Sequence, residues 1–73
     1  MKEIDKSDRQ RIGNKIRQIR MSKGLTLADL AKLIDKDDSN LSKIEYGKYS
    51  ISIDALSKIC EALGCKVDII INE

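Results

Sequence analysis

The chain contains no histidine, proline, tryptophan or phenylalanine, and its only aromatics are Tyr46 and Tyr49. Without histidine it lacks the commonest general base, the commonest metal ligand and every His-based triad. Two rings do not make the serial stacking platform that single-stranded nucleic acid needs. The two cysteines, Cys60 and Cys65, match neither a Cys-x-x-Cys motif nor the paired spacing of a zinc site, and no histidine is present to complete a shell. They read as reduced thiols, with no metal and no cofactor expected. The longest apolar run is Ile69-Ile70-Ile71, and the first twenty residues hold no apolar h-region. Neither a membrane span nor a signal peptide is expected, and the setting reads as cytoplasmic. With no histidine, no metal shell and no carboxylate pair in an evident pocket, the sequence points away from an enzyme.

Seventy-three residues allow one domain. Charged residues make up 36% and apolar residues 41%, a composition that folds. The formal net charge of +2 is too small to identify a nucleic-acid partner by itself. A core of this size supplies only about 3–5 kcal/mol, so compact helix packing, a partner or both are required.

Apolar spacing outlines four helices. Ser7-Asp8-Arg9-Gln10 has the form of a capping box with Ser7 as N-cap, followed by the stripe Ile12, Ile16, Ile19 and a stop at Gly24. Thr26 caps a second helix, with Asp29 at the third position and Leu30, Ala31, Leu33 and Ile34 inward. Asp35-Lys36-Asp37-Asp38 is a polar turn, and Asp37 caps a third helix built on Leu41 and Ile44 and closed by Gly47. Ser52 caps a fourth, with Ile53, Leu56, Ile59, Cys60 and Leu63 inward and Gly64 at its end. From Cys65 the period changes to two, with β-branched Val67, Ile69 and Ile71 alternating against Lys66 and Asp68, which predicts a strand.

Two short helices joined by a four-residue turn, with a small residue, Ala31, at their crossing, form a helix-turn-helix pattern. Thr26-Leu27-Leu30-Ala31, Leu41-Ser42-Lys43-Ile44-Glu45-Tyr46-Gly47-Lys48 and Ser52-Ile53-Leu56-Ile59-Ala62-Leu63-Gly64 resemble the lambda-repressor/Cro-like (XRE-type) helix-turn-helix family. The match runs without gaps over about residues 9–64.

The resemblance implies that helix 38–45 enters the major groove of double-stranded DNA. Asp38, Ser39 and Lys43 then match base-reading positions, with Asn40 at the margin. Lysine donates to guanine O6/N7, aspartate accepts from cytosine N4 and serine does either. Phosphate contacts are expected from Thr26, the Leu27 amide, Ser42 and the loop Lys48-Tyr49-Ser50. Arg20 and Glu45 match a structural ion pair of the family that ties the first helix to the end of the third. Arg9, Arg11, Lys15, Arg17, Arg20 and Lys23 form a basic block without acids, read mainly as a solvated face. Leu27 stands where many members carry glutamine, Asp35 where a turn glycine is usual and Lys36 where an apolar residue is usual. Asp37 and Asp38 set two negative charges at the helix end that meets phosphate.

A lone strand leaves its main-chain groups unpaired, and pairing with the same strand of a second copy resolves this. The expected fold is therefore all-α, a four-helix domain over residues 1–64 with a dimerisation strand over 65–73 formed by Val67, Ile69 and Ile71. The expected function is sequence-specific DNA binding by a homodimeric bacterial or phage transcriptional regulator on a near-palindromic operator. The alternatives are an antitoxin that binds a toxin protein and autoregulates its operon, and an adaptor that uses the acidic helix end.

Overall fold

A computed structural model describes residues 4–67, with side-chain surroundings from residue 8 onward. The elements are α1 (Ile4–Ser22), α2 (Leu27–Leu33), α3 (Asp38–Glu45) and α4 (Ile53–Leu63). No described helix is long and apolar enough to cross a membrane.

Three helix starts are set by side chains that satisfy free main-chain donors. Thr26 Oγ1 accepts from the Asp29 amide at 3.0 Å, and the Asp29 carboxylate accepts from the Thr26 amide at 2.9 Å, a complete capping box. The hydrogen bond from the Thr26 amide holds the Asp29 carboxyl below its ordinary range. Asp37 Oδ1 accepts from the Asn40 amide at 2.8 Å, and Ser52 Oγ from the Ala55 amide at 3.1 Å. The expected start at Ser7 is corrected, because α1 already begins at Ile4. No proline or glycine interrupts Ile4-Asp5-Lys6, and adding a turn to an existing helix avoids a fresh nucleation cost.

All four helices stop in the same way. A left-handed residue follows each one (Gly24, Asp35, Gly47 and Gly64), and the next amide reaches back five residues to a free carbonyl. These closing bonds are Leu25 to Arg20 at 3.1 Å, Lys36 to Ala31 at 2.9 Å, Lys48 to Lys43 at 2.9 Å and Cys65 to Cys60 at 2.8 Å. Asp35 carries this conformation at φ 58° without being glycine. A short polar side chain tolerates it better than most.

The core comprises Ile16, Leu30, Ala31, Ile34, Leu41, Ile44, Ile59 and Leu63, with Leu30, Leu41 and Ile59 fully enclosed. Ile12, Ile19, Leu56 and others pack around it. Two residues expected inward are not. Leu33 is 60% exposed, because it lies roughly 100° round α2 from the centre of the stripe formed by Leu30, Ala31 and Ile34. Ile53 is 66% exposed, because it opens α4 beyond the reach of the packed helices.

The C-terminal expectation is also corrected in part. Residues 65–67 form no strand, and the Cys65 amide is engaged in closing α4 rather than in a ladder. Val67 is half-buried, while Ile69 and Ile71 lie outside the described residues.

A close main-chain contact joins α1 to the end of α3. A methyl group on Gly13 would collide with the carbonyl oxygens of Ile44 and Glu45. Beside it, a Cβ on Gly47 would lie 2.8 Å from Gln10 Cα, and Arg9 Nε donates to the Gly47 carbonyl at 3.3 Å. Glycine within a helix is disfavoured by about 1 kcal/mol against alanine, so its use here answers to this backbone approach. Gly13→Ala is therefore expected to lower stability by about 1–3 kcal/mol despite its better propensity. Urea unfolding with an unchanged m-value checks this, and an unchanged or higher midpoint would show that α1 and α3 separate without cost.

Candidate nucleic-acid interface

The α2–turn–α3 unit presents one face of α3 to solvent. Leu41 and Ile44 are buried behind it, and Asp38, Ser39 and Lys43 are exposed in front. Asn40 and Ser42 are half-buried at its margins. Thr26 is exposed and Leu27 is half-buried against the core; Lys48, Tyr49 and Ser50 are exposed in the loop after α3. The structure thus turns the front of α3 and the loop behind it outward together.

Local bonds already constrain several of these groups. The Asp37 carboxylate accepts from the Asn40 amide and, at 3.2 Å, from the Ser39 hydroxyl. Its charge is partly engaged in holding the first turn, the favourable end of the helix dipole for an acid. Lys43 Nζ donates to the Tyr49 hydroxyl at 3.3 Å and sits 5.4 Å from the ring centroid. A flexible lysine is thereby tethered to the loop, with two ammonium hydrogens left to donate outward.

The frame behind this face is an ion pair. Arg20 Nε donates to Glu45 Oε2 at 2.7 Å and Nη2 to Oε1 at 3.0 Å, while Nη1 donates to the Leu25 carbonyl at 2.8 Å. The two side chains are only 11% and 3% exposed. The hydrogen bond to Glu45 raises the Arg20 pKa, so the guanidinium stays charged, and its planar fork matches the carboxylate as no lysine would. One side chain thus joins the end of α1, the α1–α2 loop and the last turn of α3.

Elsewhere along residues 9–23 the basic block divides. Arg9 is bonded to Gly47 and Arg11 pairs with Asp8. Lys15, Arg17 and Lys23 are exposed and form no ion pair among the described residues. Sequence reasoning missed three contributors. Gly13 carried no spacing signal, because close backbone approach leaves no apolar pattern. Arg9 looked like one more surface cation. Tyr46, exposed at the end of α3, was masked by its place inside the motif.

A helix-turn-helix family model matches residues 16–70. Two curated proteins, both uncharacterized HTH-type transcriptional regulators, from Rickettsia conorii and Rickettsia prowazekii, are each 40% identical over 57 residues. That alignment covers 78% of this chain but only 46% and 44% of theirs, so the chain spans less than half the length of these relatives. Among solved structures, the clp gene regulator ClgR from Corynebacterium glutamicum superposes with a TM-score of 0.79 at 36% identity, covering 81% of this chain and 76% of that one. A second crystal structure of ClgR gives 0.77 at 34%, covering 80% and 62%.

Removing one partner of the Arg20–Glu45 pair leaves a buried, uncompensated charge. Arg20→Met is expected to cost about 3–5 kcal/mol, and Arg20→Met with Glu45→Leu to recover most of it. Denaturant unfolding of both variants checks this. A loss below about 1 kcal/mol in the single variant would place the pair with ordinary surface bridges.

Proposed function

We propose that this chain, which belongs to the lambda-repressor/Cro-like (XRE-type) helix-turn-helix family, binds double-stranded DNA sequence-specifically and regulates transcription. The observation that carries the reading is the two-sidedness of α3. Its apolar side is pinned by Leu41 and Ile44, its end is tied down by Glu45, and its polar side, with Asp38, Ser39 and Lys43, is left open to solvent.

In this reading α3 lies in the major groove. Lys43 donates to guanine O6/N7, Asp38 accepts from a cytosine amino group, Ser39 donates or accepts, and Asn40 reaches an adenine or a phosphate. The Thr26 hydroxyl, the Leu27 amide, Ser42, Lys48, Tyr49 and Ser50 bind phosphate and set the register. None of these contacts needs a cofactor.

The acidic start of α3 shapes the outcome. An aspartate held 4–8 Å from a phosphate costs roughly 2–4 kcal/mol at an effective dielectric constant of 20. Asp38 therefore penalises every duplex and is offset only where a cytosine amino group meets it, which makes it a selector rather than an anchor. A homodimer joined through the C-terminal segment that carries Val67, Ile69 and Ile71 would set two α3 helices in successive major grooves, about 34 Å apart, on a near-palindromic operator.

Selection from a random duplex library with the purified chain tests the reading. An enriched, pseudo-palindromic site with salt-dependent affinity supports it, and no enrichment at any salt concentration rejects it. Lys43→Ala is expected to cost about 1–3 kcal/mol and relax preference at one base position. A uniform loss over all sequences would make Lys43 a phosphate ligand. Asp38→Ala is expected to tighten binding to non-cognate duplex while flattening preference at its own position. Deleting residues 66–73 is expected to give monomers that keep their helical signal and lose operator affinity; an unchanged dimer in sedimentation would reject the C-terminal interface.

A further inference from the structure

We propose that Cys60 and Cys65 form a reversible dithiol site that closes to an intrachain disulfide when it meets a hydroperoxide. Gly64 is left-handed at φ 74°, its amide reaches the Glu61 carbonyl at 3.2 Å, and the Cys65 amide reaches the Cys60 carbonyl at 2.8 Å. This double closure characteristically sets the side chains of its first and last residues against each other, usually as an apolar contact. Here those two residues are the chain's two cysteines, and both are free thiols.

Both thiols are half-buried and line the same apolar groove between α1 and α4, together with Ile16, Leu63 and Val67. They are open enough to meet a small oxidant and too recessed for a second protein to reach easily. Burial, together with the hydrogen bond to Cys65, pushes the Cys60 thiol up to about 11, which disfavours Cys60 as the first nucleophile.

The chemistry balances with one co-reactant. The Cys65 sulfur attacks a peroxide oxygen; a sulfur–oxygen bond forms, the oxygen–oxygen bond breaks and an alcohol leaves. The Cys60 sulfur then attacks the resulting sulfenic acid, and the sulfenic oxygen departs as water with the Cys60 proton. Two thiols and one hydroperoxide become one disulfide, one alcohol and one water. Each sulfur gives up one electron and the peroxide takes both. The closed ring fixes the main chain at the point from which the C-terminal segment departs. A thiol reductant reverses it.

The test of this site needs no DNA. The full chain is reduced, freed of reductant, treated with hydrogen peroxide under native conditions and digested with trypsin. Lys58 and Lys66 bound both cysteines within one peptide, residues 59–66. The expected result is that this peptide loses two hydrogens, regains them with dithiothreitol, and comes from a protein that runs as a single chain on a non-reducing gel with its helical circular dichroism retained. Cys60→Ser and Cys65→Ser should each abolish that loss, and Cys60→Ser should show a sulfenic acid at Cys65 that dimedone traps. Oxygen addition at both cysteines in place of closure, crosslinking between chains, or closure only after denaturant is added would overturn the proposal.

Discussion

The Glu45 carboxylate stands where the fold can least tolerate an unpaired charge. It is almost fully enclosed at the end of α3, and its two oxygens are held by the Arg20 fork while the third guanidinium nitrogen holds the α1–α2 loop. A hydrophobic pair of similar size would stabilise the core as well or better. What the ion pair adds is direction. A planar fork meeting a planar carboxylate permits one mutual orientation, so the last turn of α3 cannot roll about its axis without losing two charge-assisted hydrogen bonds. Gly13 complements this from the other side by letting α1 approach to main-chain distance. Together they set which side chains of α3 face outward. The proposed groove-reading role of α3 needs that property, and it belongs to the frame rather than to the outward side chains.

The short helices are marginal by themselves, since seven or eight residues do not form a stable helix in water. Local devices at their ends offset this. Thr26 with Asp29, Asp37 and Ser52 satisfy amides at the starts, and a left-handed residue turns the chain at every stop. Such devices are written in adjacent residues, and for that reason they were legible. The three caps and the ends at Gly24, Gly47 and Gly64 follow from the spacing of Ser, Thr, Asp and Gly against the apolar stripes. The left-handed Asp35 followed from the family pattern, in which glycine is usual at that place. The bounds of α3 came from the same local logic, and with them the expected outward set Asp38, Ser39, Ser42 and Lys43, of which Ser42 is half-buried rather than fully outward.

What escaped depended on distant contacts. Leu33 and Ile53 look like core residues in a linear pattern, and only the rotation and reach of the packed helices expose them. Ser7 offered a local cap that lost to simple helix extension. Gly13 has no periodic signature, because the constraint on it comes from carbonyls more than thirty residues away in sequence. The period-two pattern after Cys65 was read as a strand from its first residue, yet that residue's amide is already bound to the end of α4. A pattern of side chains does not reveal that a main-chain donor has been used. The same closure that stops a ladder at Cys65 brings its thiol toward Cys60, so a misread strand start and a legible pair of cysteines meet in one structural device.

Charge decides what kind of binder this frame supports. The net charge is +2, and the cations of residues 9–23 do not act as a block: Arg9, Arg11 and Arg20 are engaged within the protein, leaving Lys15, Arg17 and Lys23 toward solvent. Counterion release grows with the number of phosphates neutralised, and a net charge of only +2 leaves little general attraction for duplex. The aspartates at the start of α3 subtract further from that general term. Asp37 has its carboxylate turned to its own helix, whereas Asp38 remains exposed. In the proposed complex, affinity then rests on the few outward donors and acceptors of α3 and on doubling the interface across a dimer, because the field of the protein does not supply it. A frame that holds α3 in one rotation is what makes such a design workable. Where attraction is weak, discrimination depends on the right atoms being in place before the groove arrives.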